Sequence, residues 1–294
     1  MSTPTTRATD RTALARPVPL GRRSTAMLLL VSAIGVVAFG WPLLAAPTSG
    51  LAHSTDAPWL FAALLPLLIA VVVAQISEGR ISTGGQAGFE AKSIALLGVL
   101  AAAGAALRPL GAGTAGLEPT FFLMVLSGRV LGPGFGFVLG NVSLFASALL
   151  TAGVGPWLPF QMLGMGWVCL GAGLLPRPAT LRGRRELWLL AVYGAVSAEL
   201  YGLVTDLQGW PYIAGMGSTV SFVPGDPVGA NLARFLTYHF TTALGWDIPR
   251  SILTAVLCLT LGHSILAALR RASRRAAFDA PVTFDPPAEP GKSG

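Results

Sequence analysis

Charged residues are scarce in this chain. Its 294 residues include 20 Lys or Arg and 13 Asp or Glu, so only 11% are charged, while 53% are hydrophobic. Average soluble domains carry about 25% charged residues, and a water-soluble fold of this size needs them to cover its surface. The composition therefore excludes one or two soluble domains, and it excludes disorder over most of the chain. It favours an all-α, polytopic membrane helix bundle.

Cysteine and histidine are also scarce. The two cysteines, Cys169 and Cys258, both lie in apolar runs, which excludes a multi-bridge disulfide scaffold and a cysteine-type zinc site. The three histidines, His53, His239 and His263, are far apart in the sequence and lack the spacing of an HExxH motif. From these patterns we expect no metal site and no bound cofactor.

Motifs for nucleotide binding and hydrolysis are missing. The tripeptide Gly291-Lys292-Ser293 has Pro286 where a Walker A motif has its first glycine. Gly134-Phe135-Gly136 follows an apolar segment instead of a strand, so it predicts helix packing and a turn. No Ser/His/Asp or Cys/His arrangement stands out. We expect that the chain is not an enzyme and that it does not itself use ATP.

Eight apolar segments approach the roughly 20 residues that a membrane-crossing helix needs. They are residues 24–44, 57–76, 92–110, 118–131, 134–152, 158–175, 186–204 and a long last one within 231–269. Pro133 separates the fourth from the fifth, because proline cannot continue a helical hydrogen-bond ladder. In the last segment we expect an outer helix over about 229–244, a break at Trp246–Pro249 and one crossing from about 248 to 268.

Basic residues alternate between the connections. Segments 45–57, 111–117, 153–157 and 205–230 contain no Lys or Arg, whereas the connections between them, the N-terminal segment and the tail are basic. Cytoplasmic loops carry the excess of Lys and Arg, so the pattern predicts eight spans in the cell membrane with both termini in the cytoplasm. The apolar run 24–44 is longer than the core of a signal peptide, and we expect it to remain as a span.

Polar side chains inside a membrane are costly and commonly functional. Glu199 lies 13 residues after Glu186, hence about 20 Å along the helix from its inner end. This depth argument predicts a ligand site below the outer face, with the 205–230 loop as a lid. The expected substrate-binding residues are Glu118, Asn141, Trp157, Gln161, Glu199, Trp210, Tyr212, Asn231, Arg234, Trp246 and Asp247.

Several of these residues also have a structural interpretation. Interfacial Trp residues commonly form an aromatic belt. Arg108 and Glu118 can pair across a short connection, and Arg250 can pair with Asp247 three positions earlier on one helix face.

Small residues recur at every fourth position in the third segment. Gly98, Ala102 and Ala106 form one such stripe, and small residues at this spacing let a second helix approach closely. The stripe predicts packing either within this bundle or against a separate membrane subunit.

Four segments carry a family resemblance. They are Glu118–Phe122 (EPTFF), Gly128–Phe137 (GRVLGPGFGF), Gly153–Met162 (GVGPWLPFQM) and Leu244–Arg250 (LGWDIPR). With them the chain resembles actinobacterial substrate-binding (S) components of energy-coupling factor (ECF) transporters, which are ABC-type importers of vitamins and related micronutrients. The resemblance covers about 92–269 and implies a six-helix core with a pocket open to the outer side.

The resemblance also implies the domain organisation and the partners. Residues 1–23 are expected to be a disordered basic N-terminus, 24–91 two additional spans with a cytoplasmic connection, 92–269 the core, and 270–294 a disordered basic cytoplasmic tail. In the family the first core helix docks on a T-type transmembrane subunit, so Gly98, Ala102 and Ala106 are the expected docking residues. Two ABC ATPase subunits on other chains would drive uptake of a small vitamin or vitamin precursor.

Two other functions remain open at this point. A polytopic membrane enzyme acting on a lipid or prenyl-type substrate needs a catalytic cluster near the cytoplasmic interface, whereas the polar residues here lie on the outer side. A secondary transporter often has inverted repeats and coupling carboxylates at the midplane, and the sequence has only a faint similarity between Ala148–Pro159 and Thr241–Pro249.

Overall fold

The structure is a bundle of helices. A computed structural model describes residues 22–44, 64–78, 91–111, 116–177, 181–213 and 219–275, and all regular secondary structure in these ranges is helical. The predicted all-α class is therefore confirmed. The predicted disorder of most of the N-terminus and of 276–294 concerns residues outside the described ranges.

The helix boundaries follow the apolar segments of the sequence. The α-helices are α1 (Arg22–Phe39), α2 (Trp41–Leu44), α3 (Leu64–Glu78), α4 (Ala91–Leu107), α5 (Thr120–Leu131), α6 (Pro133–Leu150), α7 (Leu158–Leu174), α8 (Arg184–Gly209), α9 (Val228–Tyr238), α10 (Leu244–Thr260) and α11 (Gly262–Arg275). Short 3₁₀ turns follow α4 and α8, and a π-helical segment, His239–Ala243, joins α9 to α10.

The boundary between α5 and α6 lies where the sequence predicts it. α5 ends at Leu131, Gly132 has a φ of 95°, and α6 begins at Pro133. Proline is well suited to the first helical position, because its missing N–H would have no partner there. Glycine accepts the positive φ that this sharp turn requires.

Three of the described helices are long and apolar enough to cross a membrane: Ser93–Gly111, Pro133–Leu150 and Arg184–Tyr212. The pair Val228–Thr260 and Gly262–Arg274, which is bent by 70°, would be a fourth if it counts as one span. The other apolar helices are shorter; the 12 residues of α5 extend only about 18 Å at 1.5 Å per residue. A membrane helix bundle is thus supported.

Helix α5 lies at the centre of the bundle. All of its residues are buried, and it packs against α4, α6, α7, α8, α10 and α11. The N-terminal helices pack against the later ones: α1 and α3 contact each other, and Trp167 of α7 donates a hydrogen bond to Ser32 of α1 at 2.9 Å. Buried side chains of α1 and α3, among them Phe39 and Leu68, belong to the same hydrophobic core as those of the later helices.

The last part of the chain differs from the prediction. No break occurs at Trp246–Pro249, because Pro249 lies inside α10; a single proline removes one backbone hydrogen bond, and α10 packs firmly against α8. The helical segment instead bends after Thr260, before α11. Because α11 continues to Arg275, residues 270–275 of the expected disordered tail are helical.

Candidate functional site

A polar cavity lies between the C-terminal half of α8 and the start of α10. Its volume is about 330 Å³, large enough for a small organic molecule. The residues that line it are Arg108, Glu118, Gln161, Tyr201, Thr205, Asp206, Tyr238, Thr242, Ala243, Trp246, Asp247 and Arg250. They come from five separate parts of the chain, so the folded bundle is needed to assemble the site.

Arg250 is the centre of an ion-pair cluster at this cavity. Its Nη1 donates a hydrogen bond to Asp247 Oδ1 at 2.6 Å, which is the pairing that the helical spacing allowed. Its Nε lies 3.5 Å from Glu118 Oε2. The guanidinium also lies over the rings of Phe121 and Tyr201, at 5.4 and 5.7 Å from their centroids, a geometry that favours a cation.

A second polar contact closes another side of the cavity. Arg108 Nη2 donates a hydrogen bond to Gln161 Oε1 at 2.7 Å, joining the end of α4 to the first turn of α7. The sequence also allowed Arg108 to pair with Glu118. In the structure Glu118 contacts Arg250 instead. Arginine side chains of this kind suit a carboxylate or phosphate group.

His239 faces two carboxylates from α8. Its Nδ1 lies 3.3 Å from Asp206 Oδ2, and its Nε2 lies 3.9 Å from Glu199 Oε1. The other Glu199 oxygen accepts a hydrogen bond from Ser251 at 3.2 Å. One donor atom each from Glu199, His239 and Asp247 lies within 4.8 Å of the other two, so a compact group of N and O donors lies beside the cavity.

Local backbone features bring these side chains together. His239 begins the π-helical segment, a type of irregularity that is frequent at functional sites because it re-aims the residues around it. On α8, a Cβ at Gly202 would collide with the Asp247 carboxylate. The absence of a side chain at Gly202 therefore allows Asp247 to lie directly against the helix that carries Glu199 and Asp206.

Five of the predicted ligand residues belong to this region. Glu118, Gln161, Trp246 and Asp247 line the cavity, and Glu199 lies beside it through its contacts with His239 and Ser251. These residues come from the segments before α5 and from α7, α8 and α10. The bundle thus brings these five predicted residues together at one end of α8.

Two of the predicted residues, Asn141 on α6 and Trp157 just before α7, lie away from the cavity. Asn141 is buried between helices, where its amide donates a hydrogen bond to the Phe137 carbonyl at 2.8 Å. Trp157 is 49% exposed and bonds the carbonyl of Gly153. Depth along a helix does not reveal which way a side chain faces, and here both face elsewhere.

The other four predicted residues support the connection between α8 and α9. Trp210 is fully buried and donates to the Val220 carbonyl at 2.6 Å, while Tyr212 stacks on Trp41 at 5.7 Å. Asn231 bonds the backbone of Val223 through both its amide N and its amide O. Arg234 pairs with Asp226 at 2.6 Å. These side chains hold the loop instead of lining the cavity; the centre of the predicted lid, 214–218, lies outside the described residues.

The cavity also contains residues that the sequence prediction omitted. Tyr201 and Thr205 are one turn apart on α8, and Asp206 follows directly. Helical periodicity starting from Glu199 reaches Asp206, seven positions later on the same face, whereas Tyr201 and Thr205 lie on another face of α8. Tyr238 and Thr242 reach the cavity across the π-helical segment, where ordinary helical spacing does not apply.

A second polar cluster lies at the opposite end of α8. Buried Glu186 accepts hydrogen bonds from Arg129 at 2.9 Å and from Arg270 at 2.7 Å. Burial and the nearby Arg129 charge lower the pKa of Arg177, which bonds the backbone beside this cluster. Glu186 and Asp206 are 20 positions apart on α8, or about 30 Å, which is the thickness of the hydrocarbon core of a bilayer.

The comparisons with known proteins assign no family. The chain matches no protein-family model, no curated protein and no solved structure. The functional argument therefore depends on the geometry of the bundle and its cavity. That geometry suits binding of a small polar ligand at one end of an apolar bundle.

Proposed function

We propose that this chain is the membrane-embedded substrate-binding subunit of an importer of the ECF type, with eight spans and both termini in the cytoplasm. It captures a small vitamin-like micronutrient at the outer face, and separate ATPase subunits drive uptake. The observation that carries the proposal is the polar cavity of about 330 Å³ at one end of an apolar helix bundle. The resemblance of the four sequence segments points to the same class.

The position of the cavity supports an outer binding site. Asp206, one of its lining residues, lies at the end of α8 that is about 30 Å from the basic cluster around Glu186. Arg129, Arg177 and Arg270 surround that second cluster, and basic residues accumulate on the cytoplasmic side of membrane proteins. This distribution of basic residues supports an outer position of the cavity.

The small-residue stripe of α4 supports a partner subunit. Gly98, Ala102 and Ala106 are all exposed on the surface of the bundle, and a Cβ at Gly98 would meet nothing within 4 Å. The other face of the same helix, with Leu97, Ala101 and Ala105, is buried. A flat, exposed stripe of small residues suits close approach of a helix from a T-type subunit.

Ligand capture is tested with the purified full chain in lipid nanodiscs. Native mass spectrometry against cobalamin, thiamine, its pyrimidine precursor and riboflavin should detect one bound vitamin per chain. Gln161→Ala should then weaken its binding by about 1–3 kcal/mol, because Arg108 loses its partner. Asn141→Ala is the matched control, since Asn141 lies away from the cavity, and its ligand affinity should equal that of the unaltered chain.

Transport is tested by co-expression with a T-type subunit and two ABC ATPases. Uptake that requires ATP hydrolysis and co-purification of the four chains are the expected results. Uptake of the vitamin by this chain alone would instead favour the secondary transporter, for which the carboxylates of partly exposed Asp206 and buried Asp247 are candidate coupling groups. Conversion of a lipid substrate by the purified chain would favour the membrane enzyme.

A further inference from the structure

We infer that Glu199, His239 and Asp247 form a binding site for a divalent transition-metal cation beside the cavity, which Asp247 lines. The site adjoins the cavity of the proposed function, and it rests on that function only for its placement at the outer face. Cation binding by the purified chain does not depend on it.

The distances fit a metal site. Zinc binds imidazole nitrogen and carboxylate oxygen at about 2.0–2.2 Å in tetrahedral geometry, so two donors on one ion are about 3.4 Å apart. One donor from each of the three residues lies within 4.8 Å of the others, and His239 Nε2 lies 3.9 Å from Glu199 Oε1. Side-chain shifts of up to about 1 Å bring all three donors onto one ion.

The orientation of His239 is that of a metal ligand. Its Nδ1 lies 3.3 Å from the Asp206 carboxylate, and its Nε2 points toward Glu199, at 3.9 Å. Histidine ligands commonly donate one ring N–H to a carboxylate while the other nitrogen binds the ion. Asp206 is therefore the residue that orients His239, and Nε2 is left to bind the ion.

Asp247 has an oxygen that the protein leaves without a partner. Its side chain is 3% exposed, and Oδ1 accepts the hydrogen bond from Arg250. Oδ2 is buried and accepts no hydrogen bond from an N–H or hydroxyl donor of the described residues, and the Asp247 carboxylate faces that of Asp206. A buried carboxylate oxygen without a partner is costly, and a cation bound beside it removes that cost.

The charges around the cavity also favour a cation. Four carboxylates, those of Glu118, Glu199, Asp206 and Asp247, meet the two guanidinium groups of Arg108 and Arg250. With His239 neutral and all four carboxylates ionised, the group carries two excess negative charges; without a cation, the neighbouring Asp206 and Asp247 carboxylates share a proton instead. A divalent ion balances them in an environment where unpaired charge is expensive.

The donor set indicates which ions fit. One imidazole and two carboxylates suit Zn²⁺, Co²⁺ or Ni²⁺, whereas Ca²⁺ and Mg²⁺ prefer oxygen donors alone. The cavity has room for on the order of ten water volumes of about 30 Å³ each, so water or an organic ligand can complete the coordination.

The test uses Co²⁺ as the probe, with the full chain purified in nanodiscs without a polyhistidine tag. A Co²⁺ titration followed by visible absorption should saturate at one ion per chain, and Zn²⁺ should displace it. His239→Ala and Glu199→Gln should each weaken Co²⁺ binding by more than about tenfold. Asp206→Asn should weaken it by about 10- to 100-fold through its effect on His239.

His263→Ala is the matched histidine control, because His263 is exposed on α11, and it should leave Co²⁺ affinity unchanged. Glu199→Gln keeps the inference testable if His239→Ala does not fold, since the Glu199 side chain is 33% exposed and the exchange preserves its shape. An unaltered chain that binds no Co²⁺, or Co²⁺ affinity equal in Glu199→Gln and the unaltered chain, overturns the site. Neither result affects the vitamin screen, whose failure would overturn the proposed function instead.

Discussion

His239 Nδ1 lies 3.3 Å from the Asp206 carboxylate, although 33 positions separate the two residues. The contact joins the π-helical segment to the last turns of α8. It also fixes the imidazole so that Nε2 faces Glu199. This single contact therefore positions His239 against both Asp206 and Glu199 of α8.

The close approach of Asp247 to α8 can be tested at Gly202. A Cβ there would collide with the Asp247 carboxylate, so Gly202→Ala should displace that carboxylate and disturb its pairing with Arg250. We expect lower thermal stability, with overpacking typically costing about 1–3 kcal/mol, and at least tenfold weaker binding of the vitamin found by the screen. Gly209→Ala is the control on the same helix, because a Cβ there meets nothing within 4 Å. Equal behaviour of the two variants would contradict the packing described here.

The sequence predicts much of the fold because helix position depends on local signals. Apolar segments located α4, α6, α7 and α8 closely, and Pro133 marked the start of α6. The apparent break at Trp246–Pro249 was misleading, since packing of α10 against α8 keeps the helix continuous through Pro249. Local preference predicts a break there, and tertiary contacts override it.

The site is harder to predict because it depends on the direction in which each side chain points as well as on the depth of the residue along its helix. The sequence analysis included Glu118, Gln161, Trp246 and Asp247 because such residues are uncommon in an apolar chain. Trp210 and Asn231 carry the same signal, but their partners are the backbone at Val220 and Val223. The three donors of the metal site come from two helices and a π-helical segment, so no spacing in the sequence connects them.

The Glu186 cluster makes a prediction about stability. Removing one partner of a buried ion pair typically costs about 3–5 kcal/mol, because it leaves the remaining charge buried and unpaired. Glu186→Ala should therefore lower the melting temperature strongly, since the Arg129 and Glu186 side chains are only 4% and 3% exposed. Arg270→Ala should have a much smaller effect, because the Arg270 side chain is 36% exposed and Arg129 still pairs with Glu186. Scanning fluorimetry in one detergent compares the two, and similar losses would show that loss of Arg270 alone is as costly as loss of both ion pairs of Glu186.

The proposed orientation predicts opposite labelling of two introduced cysteines. Cys169 and Cys258 are buried and are first replaced by Ala. Arg182→Cys lies in the connection before α8, and Gly229→Cys lies on the exposed start of α9. In intact cells a membrane-impermeant maleimide should label position 229 and leave position 182 unlabelled until the cells are opened. Labelling of position 182 from outside would reverse the topology and place the cavity on the cytoplasmic side.

The two faces of α4 separate partner docking from folding. Ala102 is exposed, whereas Ala101, its neighbour in sequence, is 3% exposed and packed in the core. Helix association in lipid depends on close approach over small residues, so Ala102→Leu should abolish co-purification with the T-type subunit and stop uptake. The purified chain should keep its melting temperature and its vitamin affinity, because the cavity is formed by other residues. Ala101→Leu should do the reverse and destabilise the isolated chain by about 1–3 kcal/mol through overpacking. If Ala102→Leu leaves the complex intact, the exposed stripe is not the docking surface, and the N-terminal helices α1 and α3 become the next surface to test.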